Sequence, residues 1–213
     1  DRSSSMIFSS SKKFVFFAAP KTGTHAVREA LRPALEENDW EQQMLTGRMF
    51  SPLPSIASIG HGHISYRQLC EAVEPDVVGS CFTFAIVRHP IERFMSVCAF
   101  LARTDPSYDQ DPLRWCRTAF ERDRFRQRVL VRPQTELLVN AAGELAIDFI
   151  GRYENLQTDL NSVLSQLDLP AVTLQSRNVT QNEKPILEKD PSFVTELEQF
   201  YADDFRLLNF DQD

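Results

Sequence analysis

The sequence predicts an α/β fold built on a doubly wound, mainly parallel sheet. Two short, continuously apolar runs, residues 14–19 and 81–87, have the composition of strands that are buried on both faces of such a sheet. Each run is followed by a polar loop and then by apolar residues at helical spacing, over residues 24–35 and 91–101. Strands that alternate with helices in this way are typical of parallel, doubly wound sheets.

The remaining elements are predicted from shorter signals. Ser65 and Gln68 have the spacing of a capping box, which predicts a helix over residues 66–73. Pro90 suits the first turn of the helix that follows the second apolar run. Shorter patterns predict weaker strands at residues 56–59 and 146–153 and helices at residues 120–131, 156–167 and 193–200.

Length and composition favour a single domain. The chain has 213 residues, 42% of them hydrophobic, which is enough to bury one full core. No break in composition marks a linker, so we expect an N-terminal extension over residues 1–13 and one domain over residues 14–213. We also hypothesise that Met6 is the native start and that the residues before it are not native.

The charge distribution bears on the kind of partner. The net charge of −7 argues against general nucleic-acid binding, because proteins that bind polyanions usually have basic surfaces. Residues 114–132 depart from this average, with seven arginines and two acidic residues. These arginines either steer an anionic ligand or cover an exposed helix face.

The spacing of the cysteines indicates whether the chain binds a metal, and its hydropathy indicates whether it crosses a membrane. The four cysteines are widely spaced and form no C-x-x-C pair, so we expect buried free thiols and no metal site. The apolar run at residues 14–19 is far shorter than the roughly 18 residues of a membrane span. We therefore expect a cytoplasmic protein, or alternatively a lumenal catalytic domain excised from a membrane-anchored protein.

The loop after the first apolar run has the residue types of an anion site. Gly23 lets the backbone approach a ligand, and the N–H groups that open the next helix attract anions. Lys21 adds a full positive charge. Because the lysine precedes the glycine, the spacing differs from that of an ATP-type P-loop. The alternative is an ordinary turn with a solvated lysine.

The loop after the second run contains a second candidate anion site. Arg88 stands at the end of the run, and Ser96 lies about two helical turns later. A guanidinium fork and a hydroxyl can bind one phosphate together. Taken singly, the arginine fits a salt bridge and the serine fits a solvated helix face.

Together these loops resemble the sulfotransferases that use 3′-phosphoadenosine 5′-phosphosulfate (PAPS), especially the carbohydrate branch. Residues 21–24 look like that family's P-loop-like 5′-phosphosulfate loop, and Arg88 with Ser96 looks like its 3′-phosphate motif. Further similarities at residues 132–138, 149–156 and 201–205 extend the resemblance over residues 14–210.

The resemblance implies which residues bind the donor. Lys21 would stabilise the charge that grows on the leaving 5′-phosphate, and no metal is required. The loop residues that would bind the phosphosulfate are Lys21, Thr22, Gly23, Thr24 and His25. His25 departs from the family, which usually has a second Ser or Thr hydroxyl at this position.

A histidine pair is the candidate for acid–base chemistry. His61 and His63 lie in the segment Gly-His-Gly-His, which resembles the His-Gly-His segment of uronyl 2-O-sulfotransferases. The resemblance implies that His63 is the general base and that His61 supports the site. The pair could instead bind a metal or cap loop backbone groups. Asp148 and Glu154 are alternative bases, and we expect Glu154 to pair with an arginine.

These features predict a sulfotransferase that moves a sulfuryl group from PAPS to a hydroxyl, with a carbohydrate favoured as the acceptor. The alternative within the same enzyme class is a protein-tyrosine sulfotransferase. A different class is a non-catalytic module that senses PAPS or its desulfated product, PAP. The acceptor could be an anionic glycan or an acidic peptide.

Overall fold

The computed structural model describes residues 5–42, 51–174, 184–187 and 189–211. The strands are β1 (Ile7–Ser9), β2 (Phe14–Phe17), β3 (Trp40–Glu41), β4 (Phe82–Val87) and β5 (Phe149–Arg152). The helices are α1 (Thr24–Leu31), α2 (Pro54–Ala57), α3 (Tyr66–Ala72), α4 (Pro75–Gly79), α5 (Pro90–Leu101), α6 (Pro106–Gln110), α7 (Pro112–Phe120), α8 (Asp123–Arg126), α9 (Leu156–Gln166), α10 (Lys184–Leu187), α11 (Pro191–Phe200) and α12 (Ala202–Leu208).

The five strands form one mixed sheet in the order β3-β1-β2-β4-β5. Strands β2, β4 and β5 are parallel, whereas β1 pairs antiparallel with both β2 and β3. The α/β class is therefore confirmed, but the sheet is mixed rather than mainly parallel. Strands β1 and β3 have only three and two residues, too few for a periodic signal in the sequence.

Helices cover both faces of the sheet. Side chains of β2 and β4 that point to one face pack against α1 and α9, through Phe14, Phe16, Val27, Phe84 and Leu160. On β2, Phe17 points to the opposite face, and its ring lies 6.0 Å from that of Tyr66 on α3.

The chain forms two compact units. The sheet unit comprises residues 1–87 and 136–175, and the helical unit comprises residues 88–135 and 176–213. The core of the helical unit is aromatic, with rings of α5, α7 and α11 in edge contact at Phe94, Phe120 and Phe193. Residues 7–9, within the segment assigned to an N-terminal extension, form β1, whereas residues 1–4 lie outside the described residues.

Several predicted elements are confirmed. Helix α3 begins with the expected capping box, since the Ser65 hydroxyl accepts a hydrogen bond from the Gln68 N–H and the Gln68 side chain accepts one from the Ser65 N–H. Helix α5 begins at Pro90, and α9 and α11 match the predicted helices within two residues. The cysteines are free thiols, three buried and Cys70 half-buried.

Two predicted elements are wrong. Residues 54–57 form the short helix α2, because Pro54 occupies its first turn, where a missing N–H costs nothing. Instead of one helix over residues 120–131, the chain forms α7 and α8. The Asp111 side chain accepts a hydrogen bond from the Arg114 N–H and thus starts α7 much earlier than the apolar pattern indicated.

Within the described residues, no helix combines the length and the apolar composition that crossing a membrane requires.

Candidate active site

The loop between β2 and α1 is a tight turn with two residues in the left-handed region. Lys21 has φ 62° and Gly23 has φ 83°. The buried Thr22 hydroxyl donates to the Ala19 carbonyl over 2.9 Å, and the Gly23 carbonyl accepts from the Ala26 N–H over 3.0 Å. The Thr22 hydroxyl therefore fixes the loop, and the first turn of α1 begins directly after Gly23.

Gly23 is required for steric reasons as well as for its φ angle. A Cβ atom at this position would lie 2.8 Å from Leu156 Cδ2 and 3.3 Å from Tyr153 Cδ2. The loop backbone is thus seated against the start of α9. No side chain of the described residues caps α1 at Gly23. The first N–H groups of the helix are the kind of donors that bind a phosphate or sulfate oxygen.

The His63 ring is buried and hydrogen-bonded to this loop. His63 is 2% exposed, and its Nδ1 lies 2.7 Å from the carbonyl oxygen of Ala18 at the end of β2. A carbonyl oxygen only accepts, so Nδ1 holds the proton in the neutral ring and Nε2 holds the lone pair. The backbone bond from Met6 N–H to the Gly62 carbonyl, at 2.9 Å, joins the histidine segment to the N-terminal edge of β1.

His61 lies beside His63, with 6.0 Å between the ring centroids. Burial lowers the pKa of His61 below its ordinary value, because the half-buried ring loses hydration in its charged form. This favours a neutral ring at pH 7. Among the described residues, no group of three or more His, Cys, Asp or Glu side chains is placed to hold a metal ion.

His25 and Glu29 form a pair along the surface of α1. The distance from His25 Nε2 to Glu29 Oε1 is 3.0 Å, and both side chains are about half exposed. The imidazole therefore has a carboxylate acceptor on its own helix. Thr24, which precedes His25 in the chain, is buried at the first position of α1.

Arg88 and Ser96 belong to the helical unit, whereas Lys21, His61 and His63 belong to the sheet unit. Arg88 is the residue directly after β4, a strand that is parallel to β2 and adjacent to it. Both Arg88 and Ser96 are only 8% exposed. Arg88 Nε lies 3.6 Å from Glu92 Oε2, one turn into α5.

Comparisons with known proteins identify the family. A family model described as the sulfotransferase family matches residues 4–211. The chain belongs to this family. Comparisons with curated proteins and with solved structures found no significant match. Family membership supports a transferase enzyme that moves sulfuryl groups, and it leaves donor contacts, acceptor and catalytic residues to be inferred from the site.

In this sulfotransferase, Gln134 binds the backbone of Arg88, a contact that the sequence did not predict. The Gln134 side chain donates through Nε2 to the Arg88 carbonyl over 2.6 Å and accepts from the Arg88 N–H over 3.1 Å. Gln134 is fully buried. Its amide thus satisfies both backbone groups of Arg88, as a neighbouring strand would, and holds the residue in one backbone position.

Asp204 of α12 fixes Gln134 in turn. Its carboxylate accepts from the Gln134 N–H, the Thr135 N–H and the Thr135 hydroxyl at 3.0, 2.9 and 2.7 Å. Burial raises the pKa of Asp204, although the nearby Arg93 guanidinium and these three donors oppose the shift. The three donors identify the carboxylate as a structural acceptor.

Arg93 and Tyr201 complete the support of residues 130–135. The fully buried Arg93 guanidinium donates to the carbonyls of Leu130, Val131 and Arg132 at 2.9, 3.3 and 2.6 Å. The Tyr201 hydroxyl donates to the Val131 carbonyl over 2.6 Å. Segments 132–138 and 201–205 resembled the family in sequence, but only the structure shows that they meet.

Asp148 and Glu154, the alternative bases, both have structural partners in this sulfotransferase. Asp148 Oδ2 accepts from the Thr83 N–H at 2.8 Å and from the Thr83 hydroxyl at 2.9 Å, at the amino end of β4. That end is opposite to the edge where the β2 loop lies. Glu154 pairs with Arg152 at 3.5 Å, which agrees with the expected arginine partner.

Proposed function

We propose that this sulfotransferase moves a sulfuryl group from PAPS to a hydroxyl of a carbohydrate by in-line displacement. The main support is the hydrogen bond from His63 Nδ1 to the Ala18 carbonyl. This bond attaches a buried imidazole, with its lone pair on Nε2, to the strand end from which the Lys21 loop starts. A base beside an anion-binding loop is the arrangement that transfer to a hydroxyl needs.

The proposed donor contacts come from two segments. Lys21 and the N–H groups around Thr22, Gly23 and Thr24 would bind the 5′-phosphosulfate, and His25 would border it. Arg88 and Ser96 would bind the 3′-phosphate, whose two charges suit a guanidinium and a hydroxyl. Gln134 acts through Arg88 and is therefore a positioning residue.

The proposed reaction moves one proton and one sulfuryl group. His63 Nε2 takes the proton of the acceptor hydroxyl while the hydroxyl oxygen forms a bond to sulfur. The bond between sulfur and the 5′-phosphate oxygen breaks, and the electron pair stays on that oxygen. Lys21 stabilises the negative charge that develops there. The products are the sulfated acceptor and PAP, and the proton on Nε2 is released to solvent.

The proposal is tested by transfer of labelled sulfate from PAPS to glycans, tyrosine peptides and small phenols. We expect labelled product on glycan hydroxyls. Transfer to tyrosine peptides alone would replace the carbohydrate acceptor with a protein acceptor. Binding of PAPS and PAP in a calorimeter without transfer to any acceptor would indicate a sensor and contradict the enzyme.

Replacing Gln134 is expected to weaken the 3′-phosphate contact selectively. In Gln134→Ala, the Arg88 backbone loses two hydrogen bonds, and we expect the affinity for PAP to fall about tenfold, as for two bonds of about 1 kcal/mol each with partial relaxation. The affinity for adenosine 5′-phosphate, which lacks the 3′-phosphate, should change less than twofold. Calorimetry measures both.

The control for this prediction is Gln127→Ala, which removes an exposed glutamine of the helical unit. Thermal unfolding of both variants separates binding from folding. An equal loss of affinity for both nucleotides would show that Gln134 supports the fold and does not position Arg88.

A further inference from the structure

A cavity of about 420 Å³ lies in the helical unit, lined by α6, α7 and the turns that flank them. Its volume is in the range of about 300–1,000 Å³ that is typical of small-ligand sites. The cavity shares no residue with those assigned to the donor or to catalysis. Its lining includes the side chains of Ser107, Gln110, Arg114, Trp115, Thr118 and Arg122.

The two acidic residues at the cavity are engaged by the protein itself. Asp105 accepts from the Ser107 N–H and hydroxyl at 3.0 and 2.6 Å through Oδ1, and from the Trp115 indole N–H at 2.9 Å through Oδ2. Asp111 accepts from the Arg114 N–H at 3.0 Å. Both carboxylates cap helices, and neither forms an ion pair with a guanidinium of the described residues.

The two arginines at the cavity have no such partner in the part of the chain that the structure describes. Arg114 and Arg122 are exposed, and within the described ranges neither side chain forms an ion pair or a hydrogen bond. Arg117 differs, because it binds Asp190 at 2.9 Å and Glu196 at 3.2 Å. Arg126 is paired with Asp123. The arginine-rich stretch is thus divided between paired structural arginines and others that are available to a ligand.

Trp115 gives the cavity a fixed aromatic wall. Its indole N–H is held by Asp105, and its ring makes edge contacts with Tyr108 at 5.6 Å and Phe125 at 6.1 Å. A ring held on several sides offers a flat apolar face at little entropic cost. A sugar ring has a matching apolar C–H face and a rim of hydroxyls.

We propose that this cavity binds one acidic sugar unit, carboxylated or sulfated, of a glycan. Arg114 and Arg122 bind the anionic group, and the Trp115 ring packs against the sugar face. The amide and hydroxyls of Gln110, Ser107 and Thr118 suit neutral sugar hydroxyls. The walls are two helices and their flanking turns, which offer no strand edge for an extended acidic peptide. The role of this glycan as the acceptor rests on the proposed function, but the binding of the glycan to the cavity does not.

The test uses two double variants that remove the same charge. R114A/R122A changes the cavity, whereas R124A/R128A removes two exposed arginines of the same stretch that do not line it. The probe is a heparin-derived tetrasaccharide, measured by calorimetry and by tryptophan fluorescence at about 150 mM salt, where unspecific attraction is screened. We expect R114A/R122A to weaken binding at least tenfold and R124A/R128A at most twofold.

Three outcomes would overturn the proposal: no binding by the parent protein, a saccharide affinity of R114A/R122A no lower than that of R124A/R128A, or tighter binding of a glutamate-rich peptide of equal charge. Trp40 is 4% exposed and stacked on Phe8, so a fluorescence change on binding reports mainly on Trp115. Saccharide binding without sulfate transfer would refute the proposed function and leave the cavity proposal intact. Normal transfer with unchanged binding in R114A/R122A would refute the cavity proposal alone.

Discussion

Lys21→Ala is expected to lower kcat for sulfate transfer by a factor of about 10²–10³, the usual loss when one donor to a developing oxyanion is removed. The leaving 5′-phosphate would then have to accept its negative charge without the ammonium group. The affinity for PAP should fall much less, because Arg88 and the loop N–H groups remain. Single-turnover kinetics with labelled PAPS measure the chemical step directly.

The chain offers a matched control for this variant in Lys13→Ala. Lys13 is exposed and has φ 55°, close to the φ of 62° at Lys21, so both substitutions place alanine in the left-handed region. The backbone cost is therefore the same in the two variants. If Lys21→Ala transferred sulfate as fast as Lys13→Ala, the role of Lys21 in the chemistry would be refuted.

His63→Asn is expected to abolish most transfer, with a loss in kcat of about 10²–10⁴, while the protein stays folded and binds PAP. The asparagine Nδ2 occupies nearly the place of the imidazole Nδ1, so it can still donate to the Ala18 carbonyl. Alanine would remove this donor and leave a void at a side chain that is 2% exposed. Asparagine has no basic nitrogen to take the acceptor's proton.

The pH profile of the residual activity distinguishes a base from a structural residue. In the parent protein, kcat should fall on the acid side, because a protonated His63 has no lone pair on Nε2. In His63→Asn this acid limb should disappear. A variant that loses activity but keeps the same acid limb would show that another group is the base, and His61→Ala would then be the next variant to measure.

The sequence predicted the parts of the fold that repeat a regular pattern. Strands β2 and β4 and the helices after them came from apolar runs of ordinary length, and the start of α3 came from its capping box. Strands β1 and β3 are too short to have a period. Their contacts depend on long-range pairing, such as the buried ion pair of 2.7 Å between Arg28 on α1 and Glu41 on β3. No local pattern contains that information.

The same limit applies to the candidate site. Lys21 and Arg88 were predicted as site residues because their residue types and loop positions suit anion binding, and His63 was predicted as the base from the resemblance of its segment to uronyl 2-O-sulfotransferases. Gln134 and Asp204 were missed as support for Arg88, because they lie 46 and 116 residues after it in the chain and act through backbone hydrogen bonds. Their neighbouring sequences resembled the family, but nothing in either segment indicated that the two meet.

The hydrogen bond between His63 and Ala18 uses a main-chain atom at position 18. Ala18 contributes only its main-chain oxygen, which every amino acid possesses. The protein backbone therefore decides which imidazole nitrogen is basic, and the side chain at position 18 is constrained only by the space around it, where alanine is fully buried. A relative with glycine or serine there would keep the same tautomer. The tautomer of the proposed base is in this way independent of the side chain at position 18.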